Sequence, residues 1–229
     1  MYRLLLLASV LSLGCRDPKP AAECGEPSGA HSEPSYVFKE SNYSCEGEYA
    51  IQTPFDLDSD SFISAALNSA DVIVDFEFIA AEWSTTGAEL SIEVGDTDLD
   101  EGVLDPDDGD NHVFLVDDND GIDDGTSAIA LTSRHADDGL VDDCDTRIFT
   151  KREDDTVRDW VANEAPGLTD YAFSYILAHE WGHCIGLGDQ EDPALADSIM
   201  FNSYPAGTPY PTGGIPADDV EAVILIYGT

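Results

Sequence analysis

Basic residues are scarce in this chain. Only 9 of its 229 residues are Lys or Arg, against 48 Asp or Glu, so the formal net charge is -39 at pH 7. Nucleic-acid phosphates and anionic lipid headgroups need a basic surface, so this balance argues against both as direct partners. It indicates instead a soluble, self-repelling surface or one that attracts cations.

The N-terminus lacks an apolar run long enough to cross a bilayer. The run from Leu4 to Leu13 follows a single arginine and has the length of a signal-peptide core. It ends at Gly14-Cys15, which resembles a bacterial lipobox, and the competing interpretation is an ordinary secretory signal cut nearby. We expect residues 1–14 to be a signal peptide and Cys15 to be lipidated. The protein would then be a cell-surface or periplasmic lipoprotein, or secreted.

Cysteine is also sparse, with five residues in the chain. If Cys15 is lipidated, four are left, and in an oxidising compartment four cysteines can pair in three ways. Nearness along the chain favours Cys24–Cys45, which leaves Cys144–Cys184. The second pair would close a long loop and stabilise the fold.

One domain and one tether account for the rest of the chain. Residues 15–35 are rich in proline, serine, glycine and charge, which predicts a flexible tether. Residues 36–229 hold enough apolar residues for one core. Ser69 and Thr169 are expected to cap helices. Periodicity predicts helices near 69–83, 170–184 and 216–229, and strands at 89–94, 112–116, 127–132 and 145–149.

Acid-rich linkers separate the predicted strands, among them "GDTDLDEGVLDPDDGDN", "DDNDGIDDG" and "HADDGLVDDCD". An EF-hand loop needs an acid at position 1 and glycine at position 6. Placing Gly109, Gly121 or Gly139 at position 6 puts a non-acidic residue at position 1 each time. Irregular calcium sites and a merely solvated acidic surface therefore both stay open.

The stretch "ILAHEWGHCIGLGDQ" carries the chemistry of the chain. On a helix, His179 and His183 lie on one face and can bind one metal ion, with Glu180 on the flank as a general base. A catalytic zinc takes three protein ligands and keeps one position open. Gly186 allows a turn that ends the helix and brings Asp189 back as the third ligand.

This spacing resembles the extended signature of the metzincin metalloproteases. "ADSIMFNSYP" resembles their Met-turn, with Met200 in the position of the methionine beneath the zinc, and the order of zinc helix, Met-turn and last helix is similar to that of matrixins. The resemblance implies an α+β fold with a twisted mixed sheet of about five strands and about three helices. It also implies a zinc metalloendopeptidase that hydrolyses peptide bonds with a zinc-activated water and Glu180 as general base.

The third ligand is the main departure from the family pattern. Most matrixins have histidine where this chain has Asp189, and His135 is the alternative third ligand if Asp189 points away. Asn202 stands two residues after Met200, where astacins carry tyrosine, which favours the matrixins. "CGEP" at Cys24 resembles the stretch with which latent matrixins cap their zinc, and pairing with Cys45 is the competing interpretation.

The resemblance also predicts partners. An extended peptide substrate would add as a strand along 127–132, and the loop through Pro209 and Pro211 would shape the pocket beyond the cut bond. We expect a monomer that meets a membrane only through its lipid anchor. The alternative function is a catalytically inactive, acidic metal-binding module at the cell surface, which would hold zinc or calcium without cutting.

Overall fold

The computed structural model describes residues 50–51, 53–59, 61–97, 109–116, 129–137, 140–151 and 156–229. The expected signal peptide, lipidation site and tether lie outside these residues, as do Cys24 and Cys45. In chain order the described elements are β1 (Ala50–Ile51), β2 (Phe55–Leu57), α1 (Ser69–Ser84), β3 (Asn111–Val116), β4 (Ala130–Asp137), β5 (Leu140–Phe149), β6 (Asp159–Val161), β7 (Asp170–Ala172), α2 (Phe173–Cys184) and α3 (Ala217–Tyr227).

Five strands form one mixed sheet around β5. This strand pairs in parallel with β1 and β3 and antiparallel with β4, and β3 pairs in parallel with β2. Among the described strands, β4 has a partner on one side only and is an edge of the sheet. The strands β6 and β7 form a separate parallel pair. This mixed sheet with three α-helices confirms the α+β fold.

The antiparallel pair β4–β5 is longer than the sequence predicted. The acid-rich stretch 135–145 was expected to be a linker, but most of it lies in the two strands, with Asp137 opposite Leu140. The linker prediction was wrong because acids in this stretch find partners in the sheet: Asp143 and Asp145 of β5 are buried and accept hydrogen bonds from the backbone N–H groups of Gly109 and His112. The predicted strand at 127–132 accordingly ends later, at Asp137.

Helix α1 agrees with its periodicity. The five residues of its predicted face are all buried, namely Val72, Phe76, Ile79, Ala80 and Trp83. Its N-cap, however, is Asn68 rather than Ser69, since the Asn68 side chain accepts a hydrogen bond from the backbone N–H of Ala70 at 3.0 Å. Asn and Ser are comparable caps, so composition alone does not distinguish the two positions.

The segment 89–94 is not a strand. Leu90 and Ile92 are buried as the alternation predicts, but only Val94 makes a bridge, to Phe55. The backbone N–H of Ile92 donates to the hydroxyl of Ser84 at 2.8 Å, so it is not available to a neighbouring strand. The alternation therefore predicted correctly which side chains are buried, but it did not predict the backbone pairing of the segment.

Helix α2 starts later than predicted. Asp170–Ala172 forms β7, and the N-cap is Ala172, which has no side-chain cap, so the prediction of Thr169 as cap was wrong. Pairing with β6 holds these residues extended.

A contact from α1 compensates for the missing cap. The buried carboxylate of Asp75 accepts hydrogen bonds from the backbone N–H groups of Asn163, at 3.0 Å, and Ser174, in the first turn of α2. Burial raises the pKa of Asp75 above its usual value, although both hydrogen bonds oppose the rise. The first turn of α2 is thus stabilised by Asp75, a residue about a hundred positions earlier in the chain.

Aromatic packing fixes the rotation of α2. The fully buried Trp181 lies between Phe55 and Phe76, with ring centroids 4.8 and 5.1 Å away. With Leu177, also fully buried, it directs one side of α2 into the core, so the side bearing His179 faces the other way. None of the helices in the described ranges is long and apolar enough to span a bilayer.

Candidate metal centre

Helix α2 presents two imidazoles from adjacent turns. The ring centroids of His179 and His183 are 4.8 Å apart, with an angle of 83° between the ring planes. The two side chains are 16% and 6% exposed, so both rings are largely shielded while their outer edges reach the surface. Two imidazoles placed side by side in this way can both bind one metal ion.

Backbone carbonyls orient both rings. Nδ1 of His179 lies 2.9 Å from the carbonyl oxygen of Ile199, and Nδ1 of His183 lies 2.9 Å from that of Leu187. A carbonyl oxygen can only accept, so each Nδ1 carries the proton and donates it. In the neutral ring Nε2 is then left with a free lone pair, which is the arrangement in which histidine binds a metal ion, whereas a protonated ring donates from Nε2 to Asp189.

The turn after α2 returns Asp189 to the two rings. Gly186 has φ of +110°, a backbone conformation that side-chain-bearing residues rarely adopt, and the N–H of Leu187 then donates to the carbonyl of Gly182 at 2.8 Å. Oδ1 of Asp189 lies 3.4 Å from Nε2 of His179 and 3.4 Å from Nε2 of His183.

Two backbone hydrogen bonds hold the segment that carries Asp189. The N–H of Gln190 donates to the carbonyl of Met200 at 2.8 Å, and the N–H of Asn202 donates to the carbonyl of Gln190 at 3.0 Å. The side chain of Gln190 also donates to the carbonyl of Gly188 at 2.7 Å. The segment that carries Asp189 and the turn around Met200 are therefore paired with each other. These backbone hydrogen bonds, rather than contacts of the Asp189 side chain, set the position of Asp189.

The three side chains perturb one another in the metal-free protein. Burial alone would lower the pKa of His179, but the hydrogen bond to Asp189 and the charge of Glu180 raise it above its ordinary value. The hydrogen bonds from His179 and His183 hold the pKa of Asp189 well below its usual range. A carboxylate that stays ionised beside two imidazoles favours a bound cation, either a proton or a metal ion.

The donor set fits zinc. The ligand atoms of His179, His183 and Asp189 all lie within 4.8 Å of one another, and among the described residues they form the one such group of histidines, cysteines and carboxylates. Ligands about 2.0–2.1 Å from a tetrahedral ion are roughly 3.3 Å apart, close to the two distances of 3.4 Å found here. Two imidazoles and one carboxylate are ligands that zinc accepts, and three leave one position open.

Glu180 lies on the flank of this triangle and is 6% exposed. Its Oε2 accepts a hydrogen bond of 2.6 Å from the hydroxyl of Thr132, on the edge strand β4. The general base predicted from the sequence is therefore held between the helix and the sheet edge. The backbone of the alternative ligand His135 lies in β4, and its side chain lies outside the described part of the chain.

Met200 packs against α2 directly beneath the histidines. It is fully buried, and a Cβ placed on Gly182 would lie 2.1 Å from its sulfur atom. Glycine between the two histidine turns therefore leaves the methionine room to approach the helix. The sequence analysis missed Gly182, although a glycine inside a helix costs about 1 kcal/mol and usually has a packing reason.

A buried carboxylate holds the turn around Met200. Asp219, on α3, is fully buried and accepts hydrogen bonds from the hydroxyl of Ser198 at 2.6 Å and from the N–H of Ile199 at 2.8 Å. The Ser198 hydroxyl oxygen in turn accepts from the N–H of Met200 at 3.0 Å. The sequence analysis missed this network too, since no short spacing connects Ser198 with Asp219.

A disulfide ties the end of α2 to the sheet. Cys144 of β5 and Cys184, both fully buried, are bonded across a separation of 40 residues. This is the pair that the sequence analysis left after Cys24–Cys45, whose pairing lies outside the described residues. Closing such a loop stabilises the fold by about 4 kcal/mol in the chain-entropy description, and here it anchors the residue after His183.

A cavity of about 860 Å³ opens beside the first turns of α2. Tyr175 lines it, together with Asp197 and the loop that includes Pro209 and Pro211. The tyrosine also stacks on Tyr204, with ring centroids 4.2 Å apart. Burial raises the pKa of Tyr175 to about 12, so its hydroxyl stays protonated at any ordinary pH. The loop through Pro209 and Pro211 lines this cavity, and its predicted role in shaping the pocket beyond the cut bond stays a prediction.

Comparison with known protein families agrees with this geometry. Residues 48–228, well over half of the chain, match the family model described as Matrixin. The match includes all seven described strands, the three helices and the triangle of His179, His183 and Asp189. Matrixins are metalloproteases that hydrolyse proteins and peptides and bind zinc. The chain belongs to the matrixin family.

Proposed function

We propose that this protein is an exported zinc-dependent endopeptidase whose metal ligands are His179, His183 and Asp189. The observation that carries the proposal is the convergence of two Nε2 atoms on one carboxylate oxygen, 3.4 Å from each. Both histidines are locked by backbone carbonyls in the tautomer that leaves Nε2 free. A set so organised in advance is what a catalytic metal site requires.

Zinc, when bound, acts as a Lewis acid that polarises a carbonyl and makes water more acidic. Glu180 then takes the proton of the attacking water and passes it to the leaving amine as general acid. Its position supports this role, since the carboxylate is largely buried beside the ligands and accepts a hydrogen bond from Thr132. Met200 is fully buried against Gly182, between the two histidines of α2 in sequence, and supports the helix there.

The substrate is an extended peptide that pairs with the edge strand β4. A strand with one free edge accepts a further strand through main-chain hydrogen bonds, and β4 also carries the residue that contacts Glu180. The side chain after the cut bond enters the cavity lined by Tyr175, Pro209 and Pro211. Its open mouth and mixed lining suit a protein substrate rather than a small enclosed ligand.

Export through a signal peptide at 1–14, with Cys15 lipidated and residues 15–35 as tether, places the domain 36–229 outside the cytoplasm. The disulfide Cys144–Cys184 supports this, because such bonds persist in oxidising compartments. Fatty-acid labelling that is lost in Cys15→Ala tests the anchor, and labelling unchanged by the substitution argues against it. Calcium titration of the zinc-loaded protein tests the acid-rich linkers as a second metal site.

The activity test uses the purified zinc-loaded protein with an unfolded protein substrate. We expect cleavage that a chelator abolishes and added zinc restores. Glu180→Gln preserves the size of the side chain and removes the base, so it should bind zinc normally and cut at least a thousandfold more slowly. A wild type as inert as Glu180→Gln would refute the enzyme. Tight zinc binding without turnover would instead identify the metal-binding surface module.

A further inference from the structure

We propose that Thr132 is a positioning residue that holds the carboxylate of Glu180 in one orientation. The inference rests on the proposed function, in which Glu180 is the general base. Neither the H-E-x-x-H motif nor its extension includes a residue from the edge strand, so the spacing around the zinc helix does not point to Thr132. Its role follows from a contact between residues 48 positions apart.

The contact has the geometry of a charge-assisted hydrogen bond. Oγ1 of Thr132 lies 2.6 Å from Oε2 of Glu180 and 3.3 Å from the backbone oxygen of the same residue. A hydroxyl has one hydrogen to donate, and the shorter distance and the negative charge both favour the carboxylate. Bonds of this length from a hydroxyl to a carboxylate are among the stronger side-chain interactions.

Glu180 depends on this one donor. Within the ranges that the structure describes, Thr132 supplies the single hydrogen bond that the carboxylate receives. A glutamate side chain has three rotatable bonds, so one fixed oxygen removes most of its freedom. The other oxygen, Oε1, receives no hydrogen bond from those residues and is left to take the proton of the reacting water.

The strand determines which neighbour makes the contact. Side chains alternate along β4, so Thr132 faces α2, while Ser133 faces away and accepts a hydrogen bond from Arg147 at 2.7 Å. The pairing of Thr132 with Thr146 sets the register of β4 on β5 and so fixes the position of this hydroxyl along the sheet. Because β4 is also the proposed peptide-binding edge, the same strand would align the substrate and the base.

The test compares Thr132→Val, which preserves the shape and removes the donor, with Thr132→Ser, which restores a hydroxyl. Ser133→Ala is the matched control, since it removes the next hydroxyl of the strand on the opposite face. For Thr132→Val we expect kcat to fall about ten- to a hundredfold while KM changes less than about twofold, because a base misplaced by an ångström reacts far more slowly. Thr132→Ser and Ser133→Ala should stay within about threefold of the wild type.

Two further measurements separate positioning from a structural role. Bound zinc should match the wild type in all three variants, and a crystal structure of zinc-loaded Thr132→Val should show the Glu180 side chain in a second rotamer. Wild-type kcat in Thr132→Val would overturn the inference. An equal loss in Thr132→Ser, or a loss that parallels zinc content, would overturn it too.

Failure of the proposed function gives a different result. If the zinc-loaded wild type does not cut any substrate, the endopeptidase fails, and the Glu180 rotamer in Thr132→Val still decides whether the hydroxyl holds the carboxylate. A single unchanged rotamer in that structure would refute the positioning role whatever the activity.

Discussion

The carboxylate of Asp219 accepts a hydrogen bond of 2.8 Å from the backbone N–H of Ile199. The carbonyl oxygen of Ile199 accepts the Nδ1 proton of His179 at 2.9 Å. One residue of the turn therefore connects the last helix with the orientation of a candidate metal ligand.

Asp219→Ala should destabilise the protein and weaken zinc binding. The substitution leaves the buried Ser198 hydroxyl and Ile199 N–H without their acceptor, at about 1–3 kcal/mol for each unsatisfied donor. We expect the free energy of unfolding in urea to fall by roughly 2–5 kcal/mol, and zinc affinity about tenfold as Ile199 relaxes. Glu221→Gln, an exposed change on the same helix, is the control and should stay within about 0.5 kcal/mol. A stability equal to the control would show that the network does not support the turn.

Gly182→Ala should destabilise α2 even though alanine is the better helix former. Helix propensity alone favours alanine by about 1 kcal/mol. The added methyl meets the sulfur of Met200, which is fully buried, and overpacking of this kind costs about 1–3 kcal/mol.

A double-mutant cycle with Met200→Ala isolates this contact. Since the smaller residue gives the methyl room, Gly182→Ala should cost less, or even stabilise, in the Met200→Ala background, with a coupling energy of roughly 1–2 kcal/mol measured by denaturant unfolding. Additive effects would mean that Met200 does not limit residue 182.

Asp189→Asn should weaken zinc binding at least a hundredfold, because it removes the one charged ligand while preserving its shape. Competition with a chromophoric chelator measures the change, and Glu191→Gln, exposed two residues later, is the control. Retention of wild-type affinity would show that Asp189 is not a ligand and would favour His135 as the third ligand.

Zinc uptake should release a proton near neutral pH. Without a bound metal ion the pKa of His179 lies above its ordinary 6.5, so at any pH below that raised pKa the ring carries a proton that zinc must displace. That proton stabilises the metal-free fold below about pH 6.5, and the contribution is lost as pH rises through the raised pKa. Zinc affinity should therefore fall on acidification.

Calorimetry in buffers of different ionisation enthalpy counts the released proton. We expect fewer protons from Asp189→Asn, because the carboxylate that raises the pKa of His179 is gone. The same proton count in both proteins would contradict the assigned cause of the shift.

Much of the site could be predicted because its parts lie close in the chain. Two histidines four residues apart lie on one helical face wherever the helix sits, and Gly186 can adopt the positive φ that turns the chain back. Asp189 therefore reaches both rings after a short local excursion. For the same reason the buried face of α1 followed from its periodicity.

The supporting residues could not be predicted because they come from distant parts of the chain. Thr132 meets Glu180 only once β4 lies beside α2, and Asp75 reaches Ser174 only once α1 packs against it. The strands β6 and β7 have three residues each, which is too few to show a periodicity in the sequence. Because the two strands pair, residues that were predicted to start a helix form β7 instead.

The sequence by itself determined the three candidate metal ligands, the candidate base and the turn that joins them, since all lie within eleven consecutive residues whose geometry follows from helix and turn stereochemistry. Tertiary structure alone decided where the helix begins, which hydroxyl meets Glu180 and which carboxylate holds the turn at Met200. Those contacts depend on how the helices pack against the sheet. That packing depends on the sum of many buried contacts between distant residues, and a short sequence pattern contains no information about them.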